Sequence, residues 1–547
     1  MMKKKLLLCS LLIMHFSSFC CYSENFPFKP PENFILDPQS IVSKHPVKTN
    51  SLLAQLYFDQ GLTLIYAFNH DAAYWSFFRA SEMDPNMAMA YWGMALALGS
   101  NINMEATQPR LKQAHELINK ALNLVENSPE NEKDYVKALA QRYSQDPKVD
   151  QKKLAMDYKQ AMAQLSEKYK DDLDASTLYA ESLLDINPWN QWTIQGNPRE
   201  GTQEAVDVLV SVLKKNPNHL GANHYYIHTI EASKHPERAL ASADRLKSLM
   251  PNSGHILHMP AHIYILTGDY HRAAQANEEA IVADREYIRK YGTGGIYPIH
   301  YLSHNLYFLS RAYTMEGRFA DAKRAADELF DLYEPHYEHM PELEYFAPTT
   351  MFVLLRFHKW EDVLKLPKPK VQMKVYNVLW HFARAVSYAN LGQIDQAKQE
   401  IKHFEDSRSQ LSDDLIYGYN YMKAILSIAQ FSMEGELAFN QKDFPKAISS
   451  LKKAIAIQDD LRYNEPPDWF FPIRERLGGI LLLMKNYEEA EIVFRDDLEK
   501  HPRNGRALFG LRESLAGQNK KIGYYWIDQQ FQEAWKYSPE SLTIEQL

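Results

Sequence analysis

One helical period, carrying the same small and aromatic residues at the same phase, recurs along this chain and constrains its fold more than any other feature. In FDQGLTLIYAFNHDAAYWSFFRASEMDP, Gly61 is followed after 12 residues by Ala73, then by Phe77, Ala80 and Pro85, with apolar residues at helical spacing between them. The phase returns at Tyr264, Gly268, Ala273 and Ala280, and at Tyr313, Gly317, Ala322 and Leu329. It returns again in SYANLGQIDQAKQEI, GELAFNQKDFPKAISSLKKAI and LGGILLLMKNYEEAEIVF. The small residues let two paired helices approach, the aromatic fills the space between them, and the proline ends the second helix. A single pair leaves an apolar face bare, so the pairs must stack. The 547 residues therefore read as one array rather than several domains, in keeping with only 21 glycines and no Pro/Gly/Ser-rich linker.

These motifs resemble the tetratricopeptide-repeat (TPR) family over nearly all of residues 50–518. The resemblance implies an all-α, right-handed α-solenoid of about eleven TPR-like helix-turn-helix pairs, with a concave groove that binds a protein or peptide partner. Segment 24–49 reads as an extended N-terminal lead-in, and 519–547 as a C-terminal capping helix, at 521–537, with a tail. Two insertions break the period: SNINMEATQPR after Leu98, and INPWNQWTIQGNPREGT after Asp185. Long loops in a solenoid tend to be functional, and Trp189 and Trp192 on the second either lid the groove or simply anchor the loop. As a whole the chain is similar to exported bacterial TPR proteins with HMPAH-like and HNLYFL-like segments, a group without a defined biochemical role. The carboxylate-clamp type of TPR grips a C-terminal carboxylate with Lys, Arg and Asn; histidines in this groove depart from that pattern.

Lys3, Lys4 and Lys5 precede an apolar stretch from Leu6 to about Phe16 and then small residues. This predicts a signal peptide over 1–23, cleaved after Cys20 or Ser23, and export to the periplasm or beyond. All three cysteines, Cys9, Cys20 and Cys21, fall inside it, so the mature chain is expected to have neither disulfides nor thiolate ligands. A lipid anchor on Cys20 or Cys21 is the alternative, which Phe19 disfavours. Formal charge is -8 for the whole chain and -11 without the three lysines, so nucleic acid is not an expected partner. No apolar run reaches the roughly 18 residues of a membrane span, which predicts a soluble, packed protein.

Ten of the 20 histidines lie in residues 219–304, against about three expected from length alone. NHYYIHTIE places His224 and His228 four apart with Glu231 three further on; GHILHMPAH holds His255, His258 and His262; IHYLSHN holds His300 and His304. Such separations put side chains on one helix face. Counted from the repeat phase, His255, His258 and His262 take places two, five and nine of a first helix. His224 and His228 take places five and nine of the preceding one, and His304 place two of the following one, with His300 one turn earlier. The resemblance implies that these places line the groove. An approximate phase adds Glu181 and Asp185, giving a His-rich groove section of about 174–310 to which Tyr225 also belongs.

Neutral imidazole with carboxylate suits Zn, Fe, Mn, Ni or Cu, and seven histidines exceed one tetrahedral site. The leading expectation is an exported scaffold whose groove holds a divalent transition metal on His224, His228, His255, His258, His262, His300 and His304. The alternatives are a metal-dependent hydrolase with Glu181, Asp185 or Glu231 as general base, and a metal-free groove for a protein or peptide. Imidazoles engaged only in helix packing, or acting as pH sensors, stay open as well. His219, His235 and His271, at repeat turns, are expected to be structural, as are Asn69 and His70. NEPPDWFF (Glu465, Pro466, Pro467, Trp469) reads as a rigid connector whose exposed face can meet a partner. The sequence holds no Gly-rich phosphate loop, nucleophile elbow or HExxH motif.

Overall fold

Several helices of the expected pairs open on a polar N-cap side chain. Ser51 accepts from Ala54 N–H to open Leu52–Tyr66, and Asn69 accepts from Ala72 N–H to open His70–Met83. The computed structural model describes residues 29–292, 300–338 and 340–547. The predicted signal peptide, with all three cysteines, lies outside the described residues.

Among the described residues 24 α-helices run from Leu52 to Trp535, with one two-stranded hairpin, Ile416–Tyr417 and Asn420–Tyr421. They form twelve consecutive helix-turn-helix pairs of a TPR-like solenoid. The twelfth arises because Lys521–Trp535 packs as the second helix of a final pair with Gly505–Gly517, rather than as a lone cap. No helix among the described residues is long and apolar enough to cross a membrane.

The repeat residues do the packing that their chemistry dictates. The Phe77 ring is wedged between Gly61 and Gly93, where an added Cβ would lie 2.7 Å and 2.4 Å from the ring. Phe494 sits in the same way between Gly478 and Gly510, at 2.3 Å and 2.1 Å. These contacts join the first helices of neighbouring pairs across the aromatic of the helix between them. Gly93→Ala is therefore expected to cost about 1–3 kcal/mol by overpacking. A urea midpoint unchanged from the parent chain would contradict that.

The solenoid does not leave an open groove along its middle. Contacts recur between residues five to six helix pairs apart. Asn252 Nδ2 donates to Asp37 Oδ2 at 2.9 Å, Tyr270 OH to the Pro502 carbonyl at 3.0 Å, and Ser538 Oγ to the Gly317 carbonyl at 3.2 Å. Trp189 stacks on Tyr419 at 5.8 Å. Successive superhelical turns thus lie directly against one another, and the inner face of the central pairs is packed by the chain itself. The lead-in joins this packing: Phe34 is buried against Trp75 and Tyr291, and His45 N–H donates to Asp59.

Candidate metal centre

His224 and His228 stand on the helix Leu220–Ile230, His255, His258 and His262 on Gly254–Leu266, and His304 on Leu302–Met315. These are the first helices of pairs five, six and seven, so places five and nine of one helix face place two of the next. The result is two groups with converging ligand atoms: His224, His228 and His255, and His258, His262 and His304. Within each, three ring nitrogens lie within 4.8 Å of one another.

The outer nitrogen of four of these rings is held by an acceptor. His224 Nδ1–H donates to the Tyr66 carbonyl at 2.6 Å and His228 Nδ1–H to Glu231 Oε1 at 2.9 Å. His262 Nδ1–H donates to Glu231 Oε2. His258 Nδ1–H donates to Asn277 Oδ1 at 2.7 Å, while the Asn277 amide N–H, bonded to the Ala273 carbonyl at 2.8 Å, fixes which end of the amide faces the ring. A neutral imidazole carries one hydrogen, so all four Nε2 atoms are bare lone pairs. His258 Nε2 nevertheless lies 2.8 Å from His262 Nε2 and 3.1 Å from His304 Nε2. His224 Nε2 lies 3.1 Å from His255 Nε2, and His228 Nε2 is buried with no hydrogen-bond partner. Only His258 and His262 are both fixed in this way, so their facing lone pairs repel unless a proton or a metal ion sits between them, whereas His255 and His304 can donate from Nε2 to His224 and His258.

Electrostatics follow from the burial. Burial, with neighbouring imidazoles adding to it, pushes His224, His255 and His258 well below the usual histidine range, and His304 down to about 3. Burial would also lower His262, but the Glu231 carboxylate outweighs it and the net shift is upward. Glu231 responds in kind: burial opposes its charge, yet His262 and His228 hold it at about 2.

Each triad is backed by one phenylalanine. Phe68 stacks on His228 and His255, with centroids at 5.6 Å and 5.7 Å, and Phe308 lies 4.9 Å from His258 and 5.0 Å from His262. Phe68 has a φ of 54° at the turn position that Gly268 and Gly317 fill in later pairs. Trp189, also at φ 54°, places its ring edge-on to His228 at 5.5 Å. A bulky side chain in left-handed backbone is disfavoured, and both instances aim an aromatic at the same histidine. Pro260 stands inside the helix between His258 and His262, where it cannot donate to the preceding turn.

Several expected positions fall elsewhere. The seven histidines were expected to line an open groove, yet the six triad residues are almost wholly enclosed, because the turn-to-turn stacking covers them. His300 lies one turn before His304 and outside both triads; burial pushes it down to about 4. Glu181 and Asp185 do not join the histidines: Asp185 Oδ2 takes Arg142 Nη2 at 2.6 Å. Burial pushes Asp185 up to about 6, and it pushes Glu181 up as well, with Asp185 adding to the shift. Neither is placed as a general base at either triad. Glu231, the third candidate base, is engaged through both oxygens with imidazole Nδ1 atoms. Tyr225 is buried against Phe68 at 5.4 Å, and Trp192 Nε1 donates to the Thr229 carbonyl at 2.7 Å, tying the second insertion down.

NEPPDWFF is not an exposed connector. Trp469 and Glu465 are buried, and Tyr463 OH reaches Glu465 Oε1 at 2.6 Å and Glu231 Oε2 at 3.3 Å. Burial raises Glu465 to about 7, against the pull of His262. A further group that the sequence reading missed joins His45, Asp172 and Asp174. There Asp174 accepts from His45 Nδ1–H at 2.8 Å and Tyr66 OH at 2.6 Å and pairs with His219 Nε2 at 3.3 Å. Its oxygens are satisfied by protein donors, so the group serves as a tie between the lead-in and pairs one, four and five.

No family model and no curated protein matches the chain. Among solved structures, human IFIT1 as a dimer with m7Gppp-AAAA shows 11% identity and a TM-score of 0.33, over 93% of this chain and 96% of that one. The Cut9-Hcn1 assembly of APC/C gives 12% identity and 0.29, over 89% and 76%. The TPR domain of P58(IPK) gives 13% and 0.23, over 86% and 99%. At these values the likeness says nothing about function, and the repeat architecture stands on the chain's own helix pairs.

Proposed function

We propose that this protein is a metal-binding helical-repeat protein of the cell envelope, with one transition-metal ion in each histidine triad. The reading is carried by the convergence of bare Nε2 atoms in buried space. Four Nδ1 hydrogens are committed to outward acceptors, and the lone pairs of His258 and His262 face each other with no hydrogen of their own between them. Outer partners of this kind, a carboxylate, an amide oxygen and a backbone carbonyl, orient histidine ligands in metal sites generally. In the metal-free chain a shared proton occupies the gap between His258 and His262; a metal ion displaces it, so loading releases protons.

The hydrolase alternative lacks a placed base, since Glu181 and Asp185 belong to Arg142 and Glu231 is engaged with two imidazoles. A protein partner, expected of a repeat scaffold, would bind away from the inner face of pairs five to seven. Localisation follows from the signal peptide read at residues 1–23.

Elemental analysis of the tag-free chain after reconstitution tests the proposal. About two equivalents of transition metal are expected, falling to about one in His304→Ala, because His304 belongs to one triad only. Less than about 0.2 equivalents in the parent chain, where a preorganised site should hold its ion far more tightly than millimolar, would dispose of the metal reading.

A further inference from the structure

Resting on the metal-pair reading above, the geometry points to copper(I) as the ion that both triads are built to hold. The donor set comes first. Each triad offers three ring nitrogens of uncharged imidazoles, and no carboxylate or thiolate belongs to either set. The chain's three cysteines all lie in residues 1–21. Metal–imidazole bonds run to about 2.0 Å, so three nitrogens around one ion stand roughly 3.3–3.5 Å apart. The His224–His255, His258–His304 and His258–His262 contacts of 3.1, 3.1 and 2.8 Å already approach that triangle.

Coordination number comes next. Zinc in a three-histidine site takes a water as its fourth ligand, and copper(II) and nickel(II) favour tetragonal sets. Here five of the six rings are buried and only His304 is partly exposed, with Phe68 against one triad and Phe308 against the other. A closed-shell monovalent ion is satisfied by three nitrogens alone, and an aromatic face is a fitting neighbour for a desolvated cation.

Charge decides between the remaining ions. The carboxylates facing this space are Glu231, shared between the triads, and Glu465 beside it, and Arg311 also acts on Glu465. Of these two carboxylates only Glu231 is held firmly charged, since burial raises Glu465 to about 7 and Arg311 adds a cation, so two monovalent ions leave the smaller excess of positive charge. Two divalent ions bring four positive charges against at most two carboxylates, and uncompensated buried charge is strongly disfavoured. Glu231 also makes the two triads equivalent partners, since His228 and His262 hang from the same carboxylate.

The experiment is a competition under nitrogen. The full chain, freed of metal, is offered equal amounts of a copper(I) acetonitrile complex and zinc(II), with bicinchoninate as the copper(I) indicator. About two copper(I) per chain should be withdrawn from the indicator, with zinc below about half an equivalent. X-ray absorption should then show three nitrogen neighbours, and admitting air should leave the sample without a copper(II) resonance. His304→Ala should keep about one copper(I). Two bound zinc ions, or a copper(II) signal that grows in air to match the bound metal, overturns the copper(I) inference while leaving the metal pair standing. Binding of neither ion overturns the metal pair itself.

Discussion

Glu231→Gln is expected to disable one of the two triads and spare the other. The carboxylate accepts from His228 Nδ1–H through one oxygen and from His262 Nδ1–H through the other. A glutamine keeps one acceptor and replaces the second with an amide donor. The imidazole facing that donor must turn to the other tautomer, with its hydrogen on Nε2, or lose its partner. The first outcome removes a bare lone pair from one triad, and the second leaves the tautomer of that ring unfixed. Loss of such an outer partner costs about 10–100-fold in metal affinity at the affected site, and a buried donor left unpaired costs about 1–3 kcal/mol. Glu231→Ala should weaken both triads together, because neither ring then has its acceptor. Metal titration reads the difference as one tight site against none, and urea unfolding of the metal-free chains checks that both variants remain folded. Two undiminished sites in Glu231→Gln would mean that the carboxylate does not set the tautomers.

The repeats were legible because they are local. Gly61, Ala73 and Phe77 recur at fixed phase since every pair solves the same packing problem, and Phe77 between Gly61 and Gly93 is that solution in space. The last pair was harder to see. Its second helix, Lys521–Trp535, carries Tyr525 and Trp526 on an exposed face instead of the small-residue pattern. The stacking of superhelical turns left no trace in the period at all. It rests on single contacts such as Tyr270 with Pro502, between residues more than 200 apart, and nothing local encodes their meeting.

The same division runs through the candidate site. Places two, five and nine of successive first helices are a property of the repeat, so the grouping of His224, His228, His255, His258, His262 and His304 could be read from phase. Their burial could not, because it is imposed by neighbours from distant turns: the Tyr66 carbonyl and Phe68 on one side, Tyr463 and Glu465 on the other. Phe68 did leave a signal. It stands where Gly268 and Gly317 stand in their own turns, and an aromatic at a left-handed position is worth asking about. Glu465 left none, since a carboxylate next to two prolines reads as an ordinary turn. Glu181 and Asp185 fell on the expected face of their helix, but Arg142, from the preceding pair, claims them first.

Glu475→Ala is expected to be the most damaging single change away from the histidines. Glu475 is buried in the first helix of pair eleven, Ile473–Leu483. Its Oε1 accepts from Arg356 Nη2 at 2.8 Å and from Asn504 Nδ2 at 2.8 Å, and its Oε2 from Arg506 Nε at 2.9 Å. Arg356 comes from pair eight and Arg506 from pair twelve, so one carboxylate neutralises two buried guanidiniums from different repeats. Burial lowers Arg506 to about 10 even with Glu475 beside it. Without the carboxylate both buried cations lose their counter-charge, and breaking a buried pair in this way costs about 3–5 kcal/mol. In a stacked-repeat protein such a loss is felt first in the neighbouring units, so pairs eleven and twelve should open before the rest. Trypsin should cut near residues 495–512 in Glu475→Ala under conditions where the parent chain resists. Pair twelve is followed by Ser538, which holds Gly317 next to pair seven, and Tyr463 next to pair eleven reaches Glu231. Opening this end should therefore also weaken metal retention, even though no triad residue has been touched. Glu475→Gln, which keeps an acceptor without the charge, should fall between the two chains; if it matches Glu475→Ala, charge neutralisation rather than hydrogen bonding holds this corner together.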